Sequence, residues 1–171
     1  MATTTYDLFF TGRDDPRSCV VIGEDTKPVY FCFETPERGL GPNTRTTLSR
    51  NNKDVCARLD WSPGNHLGSA TIGSRRIPMS HLVLHGSSNN ARAFISGEGK
   101  RFEWRRRLDT PSSYDLYAVP NMQIAAFRRY AHETAVGPSH GLFQYTFKND
   151  LLLVEALVAL CLNRWIDLYG V

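Results

Sequence analysis

The chain has 171 residues, 42% of them hydrophobic and 22% charged, with a formal net charge of +3. That length suits one domain with room for a substantial core, and proportions this ordinary exclude wholesale disorder. The balance is only mildly basic, short of the excess a dedicated nucleic-acid binder carries, so no nucleic-acid partner is expected.

The first fifteen residues lack a basic start, and their apolar run stops after Leu8-Phe9-Phe10. This is not the pattern of a secretory signal, and a cytoplasmic location is expected. Tyr6 to Thr11 reads as the first strand and is broken at Asp14-Asp15-Pro16. Cys19 to Ile22 and Pro28 to Thr35 follow, the second rich in aromatic and β-branched residues and stopped by Pro36. After the Gly39–Asn43 loop, Thr44 to Arg50 is a polar strand and Asn51 to Asp54 a turn. Val55 to Trp61 alternates, with Val55, Ala57, Leu59 and Trp61 on one side and Cys56, Arg58 and Asp60 on the other. That is the period of a strand with one buried face.

Seven further strands are expected at Ser69–Ile72, Ile77–Leu84, Ala91–Ile95, Arg101–Leu108, Tyr114–Val119, Met122–Tyr130 and Gly141–Phe147. Gly137 to Gly141 reads as loop by composition. About twelve short strands suggest a mainly β fold, a closed barrel or a sandwich. The rhythm changes at Leu151–Leu162, where Glu155 is the one polar residue. Asn149 or Asp150 is placed to cap a helix there, and apolar residues fill every angle of its wheel. Twelve residues rise about 18 Å, short of the ~30 Å of a bilayer core, so this helix belongs inside protein. The expected layout is a single domain over 1–171, with barrel strands over 5–147 and a core helix over 150–168.

No pattern for catalysis stands out. There is no GxSxG elbow, P-loop, Rossmann glycine motif or HExxH. Ser139 and His140 are adjacent, and adjacent residues on an extended chain point apart, so they make a poor nucleophile and base. The four cysteines, Cys19, Cys32, Cys56 and Cys161, form no close pair and read as buried thiols. His81 and His85 fall in a segment that reads as strand, which separates them as metal ligands. Neither a metal nor another cofactor is expected. Trp61 and Trp104 lie on the apolar phase of their strands and read as core. A carboxylate within a buried helix needs a partner, and Arg58 or Arg106 is a natural candidate to pair Glu155.

The densest charge is Lys100-Arg101-Phe102-Glu103-Trp104-Arg105-Arg106-Arg107. On a strand, Phe102, Trp104, Arg106 and Leu108 share one face, and Arg101, Glu103, Arg105 and Arg107 share the other. The candidate anionic-ligand residues are therefore Lys100, Arg101, Arg105 and Arg107, joined by Arg75 and Arg76; Arg128-Arg129 is a further basic pair. The alternative for this ladder is a solvated strand face with no ligand.

The run Val29-Tyr30-Phe31-Cys32-Phe33-Glu34-Thr35-Pro36 is followed by Thr44 to Leu48 and by Val55-Cys56-Ala57-Arg58-Leu59-Asp60-Trp61. Ile77-Pro78-Met79-Ser80, Arg101-Phe102-Glu103-Trp104 and the leucine-rich helix complete the series. In this order they resemble a fungal family of the tubby C-terminal-like superfamily, which includes tubby proteins, phospholipid scramblases and LURP-one-related proteins. The resemblance implies a tubby-like closed β-barrel around a hydrophobic helix. It also implies a non-enzymatic module that meets phosphoinositides, an anionic membrane surface or a protein partner at the cytosolic face. The acidic calcium-binding segment of scramblases has no match. Two rivals remain: a protein-interaction domain without a lipid ligand, and an enzyme with a site inside the barrel.

Overall fold

A computed structural model describes residues 4–24, 27–36, 44–110, 112–134 and 137–170. Seven strands come first: β1 (Tyr6–Thr11), β2 (Cys19–Gly23), β3 (Tyr30–Glu34), β4 (Arg45–Arg50), β5 (Asp54–Ser62), β6 (His66–Ile72) and β7 (Arg75–Pro78). A 3-10 helix, Met79–Leu82, leads to β8 (Leu84–His85), β9 (Ala91–Ile95), β10 (Arg101–Arg106), β11 (Tyr114–Ala118), β12 (Met122–Thr134) and β13 (Gly137–Tyr145). One helix, α1 (Asp150–Tyr169), follows.

The fold is mainly β: one antiparallel sheet of thirteen strands with the helix packed on it, in the order 7-6-5-4-3-2-1-13-12-11-10-9-8. Each half of the chain is a meander, and the halves join where β1 pairs with β13, Leu8 opposite Phe143. Consecutive strands β7 and β8 are thus the two ends of the ladder. Laid flat, thirteen strands would span about 58 Å at ~4.8 Å per step. The connection through Met79–Val83 reaches at most about 20 Å. The sheet must therefore roll until its ends meet across the 3-10 helix, which packs against both β6 and β9. By hydrogen bonding the ladder stays open between β7 and β8, so the expected closed barrel is seen only as a rolled, open sheet.

The helix lies within this roll. Every residue from Leu152 to Trp165 is buried, so the enclosed run extends beyond Leu162. Asn149 is its N-cap, accepting the Leu152 N–H at 3.1 Å. Gly170 ends it in the left-handed region (φ 71°), its N–H reaching the Ile166 carbonyl at 2.7 Å; glycine adopts this conformation without a Cβ penalty. Trp61 and Trp104 are core residues. The Trp104 indole donates to the Ala156 carbonyl at 3.1 Å, which fixes β10 against the helix. Among the described residues no helix is long and apolar enough to cross a membrane.

Several expectations need correction. Ile77–Leu84 is not one strand: Pro78 ends β7, Met79 and Leu82 bury themselves in the 3-10 helix, and β8 is a two-residue bridge. That split makes the count thirteen. Gly137–His140 belongs to β13, because β12 runs long beyond a register shift and pairs with it, Glu133 opposite Pro138. Val55 is 46% exposed, since the register slips at Leu48/Ser49 and frees the start of β5 from the inner face. The Gly39–Asn43 loop lies outside the described residues.

Candidate functional site

In β10 the alternation holds for its first five residues. Phe102 and Trp104 face the helix and are buried, while Arg101, Glu103 and Arg105 take the other phase. Glu103 is nonetheless covered, because the segment after β8 folds over it. Ser87 gives it an N–H at 3.1 Å and a hydroxyl at 2.6 Å, and the Arg105 Nε gives a third hydrogen bond at 2.6 Å. Burial alone would raise its carboxyl, but these donors outweigh burial and hold it below the ordinary value. Arg105 also lies 3.8 Å from the centre of the Tyr117 ring and reaches Asn121 at 2.8 Å. It is a structural cation, largely satisfied where it stands.

Arg101 differs. Its guanidinium donates to the His85 carbonyl at 2.8 Å, and among the described residues no carboxylate neutralises it. Directly opposite on β9 is Ile95, 37% exposed. On the other side the Val119 N–H donates to the Arg101 carbonyl, and Val119 and Met122 are exposed. Lys100, 73% exposed, lies 3.9 Å from Glu98 in the preceding turn. A shallow depression of about 250 Å³ between Ser87, Arg101, Arg105, Tyr117 and Pro120 completes this end of β10.

The six residues singled out from sequence occupy more than one place. Lys100, Arg101 and Arg105 share the face just described. Arg75 sits at the β7 end of the ladder beside the β9–β10 turn, bonding the Ile95 carbonyl at 3.5 Å and Glu155 at 3.0 Å. Arg76 turns to Ser69 and lines a different groove with Arg45, Asp60 and Trp61. Arg107 lies beyond the end of β10 and is held by Asp109 at 2.7 Å and Asp115 at 3.3 Å, which push its guanidinium pKa upward. Leu108 does not reach the core; it is 88% exposed.

Glu155 is paired, but by Arg75 rather than Arg58 or Arg106. Its Oε2 also accepts the Gly97 N–H at 2.8 Å. Burial raises its carboxyl, and the Gly97 amide and Arg75 only partly offset that. Arg106 instead lies 3.8 Å from Asp167. Asp167 also takes Arg92 at 3.0 Å and the Tyr114 hydroxyl at 2.7 Å, while Asp115 takes Arg128 at 2.6 Å and Arg107. Sequence reasoning missed this cluster at the far end of β10, and missed the exposed Ile95, Val119 and Met122. The one sequence signal was Asn163 and Asp167, four apart on the helix, which Arg92 clasps together.

The cysteines are all free. Burial pushes Cys19 up to about 12 and Cys32 up to about 11, and drives Cys161 higher still. Among the described residues no group of three or more His, Cys, Asp or Glu is placed to hold a metal.

The chain is thus mainly β, an open rolled sheet of thirteen strands on a buried helix, with a cationic and apolar rim at one end of β10. The sequence matches the profile of a family of unknown function, DUF6593, over residues 14–153, and the chain belongs to that family. The matched stretch begins after β1 and ends at the fourth residue of α1. No curated protein matches the chain, and no solved structure does.

Proposed function

We propose that this is a non-enzymatic, tubby C-terminal-like binding module, a barrel in the functional sense, which docks on an anionic phospholipid surface at the cytosolic membrane face. The observation that carries this reading is Arg101. It is a guanidinium with no carboxylate partner among the described residues, set between exposed Ile95 and exposed Val119, with Lys100 beside it. Cations among apolar side chains suit the headgroup boundary, where apolar groups enter the acyl region and each Lys or Arg adds about 1 kcal/mol. Lys100, Arg101 and Arg105 are the residues of this face, and Arg75 lies at its border. Arg76 and Arg107 have other surroundings and are left out.

Flotation with phosphatidylserine or phosphoinositide vesicles at low salt tests it. Binding should fall roughly fivefold for Arg101→Ala, following ~1 kcal/mol per cation, and further when Val119 and Met122 become Ser. Absence of binding at low salt, or indifference to these changes, refutes it. The second reading, a protein-interaction surface at the same exposed apolar rim, then takes its place.

A further inference from the structure

The far end of β10 carries a second assembly of guanidiniums that the membrane reading does not use. Arg92, Arg106 and Arg107 line a depression of about 590 Å³ with Asn89, Asn90, Leu108 and Asp167. A smaller one of about 30 Å³ adjoins it, sharing Arg106 and Asp167 and adding Arg129 and Arg164. Among the described residues Asp167 is the sole carboxylate lining either depression. Its Oδ2 is taken by the Tyr114 hydroxyl at 2.7 Å, and its Oδ1 by Arg92 at 3.0 Å.

Arg106 stands between the two depressions. Its side chain is 46% exposed, approaches Asp167 Oδ1 no closer than 3.8 Å, and makes no side-chain hydrogen bond among the described residues. Its neighbours are fixed. Arg92 is clasped by Asn163 and Asp167, Arg107 by Asp109 and Asp115, and Arg129 by Asp14, while buried Arg164 lies 3.7 Å from Asp14. A free fork of N–H donors beside fixed guanidiniums is the arrangement that receives phosphate oxygens two at a time.

We infer that this end of β10 is a binding site for a phosphomonoester dianion, seated between Arg106, Arg92 and Arg107. The volume is that of a small-molecule site. Soluble phosphate esters and the exposed phosphate of phosphatidic acid share this chemistry. In the second case Leu108 would enter the lipid.

The test follows the arginine Nε–H resonances of the full chain in phosphate-free buffer. Glycerol 3-phosphate is titrated against sodium chloride of equal ionic strength, and phosphatidylcholine vesicles doped with phosphatidic acid are assayed in parallel. A saturable shift at Arg106, weakened at least tenfold by Arg106→Gln and retained in Arg101→Gln, supports the site. Arg106→Lys keeps the charge but not the fork and should lie between. Soluble binding that Leu108→Ser leaves unchanged assigns the source as a free ester. Vesicle binding alone, weakened by both Arg106→Gln and Leu108→Ser, assigns it to lipid. No binding in either arm, a response equal to that of chloride, or equal loss in Arg101→Gln overturns the proposal. Loss in Arg101→Gln alone points to the membrane face instead, so the two readings fail separately.

Discussion

Arg75→Ala isolates the contact that ties the β7 end of the ladder to the helix. Glu155 is 2% exposed, and its Oε2 has two donors, the Gly97 amide and Arg75. Removing one partner of a fully buried pair costs about 3–5 kcal/mol. Here Arg75 is 37% exposed and the Gly97 amide remains, so water can replace part of the loss and about 2 kcal/mol is expected near pH 8. For a chain of this length that corresponds to a fall of ~4–8 °C in Tm. The penalty depends on pH in a defined direction. Burial holds the folded carboxyl above its ordinary value of 4.5. The folded state therefore binds this proton more tightly, and ionisation lowers stability as pH rises through the folded pKa. Without Arg75 the folded pKa climbs further, so the Arg75→Ala loss shrinks as pH falls toward 5. Urea unfolding followed by tryptophan fluorescence at pH 5 and 8 measures it, in wild type, Arg75→Ala, Glu155→Gln and the double variant. An equal loss at both pH values, or an equal loss in the Glu155→Gln background, refutes the pairing argument.

Other substitutions probe the remaining links. Leu162→Ala, at a position of 0% exposure, should cost about 2–5 kcal/mol through the cavity it leaves, read as a lower urea midpoint with unchanged slope. Asn149→Ala should cost about 1 kcal/mol by orphaning the Leu152 N–H, and Asn149→Ser should restore most of it in the same assay. Cys19 and Cys161, whose thiols burial holds protonated, should not react with a disulfide reagent at pH 8 until urea unfolds the chain. Fast modification of both in the native state would contradict their enclosure.

The helix was legible because Leu151–Leu162 is apolar on every side, which leaves few solutions other than enclosure. β5 and β10 were legible from alternation, and both tryptophans fell on the phase it gives. The rest was hidden by interactions distant in sequence. Glu155 could be seen to need a cation, but only the roll of the sheet brings Arg75, eighty residues earlier, to it. Likewise the charge run at Lys100–Arg107 reads as one cationic ladder. Asp109, Asp115 and Glu103 divide it, and each reaches its arginine through the fold or a neighbouring turn. Gly137–His140 looked like loop by composition, and pairing with β12 overrides composition.

The placement of β7 and β8 has a consequence for self-association. An open sheet offers two unpaired edges on opposite sides, each a template on which a further copy can add, and repetition of that step builds a filament. Here the two edges are consecutive in the chain and meet at one place. That place is filled by Met79 and Leu82, ended on one side by Pro78, and crossed by the Arg75 guanidinium. On the other side only two residues of β8 are paired. Both edges of a thirteen-stranded sheet are thus covered at one place, and five residues of connecting chain, Met79–Val83, do it.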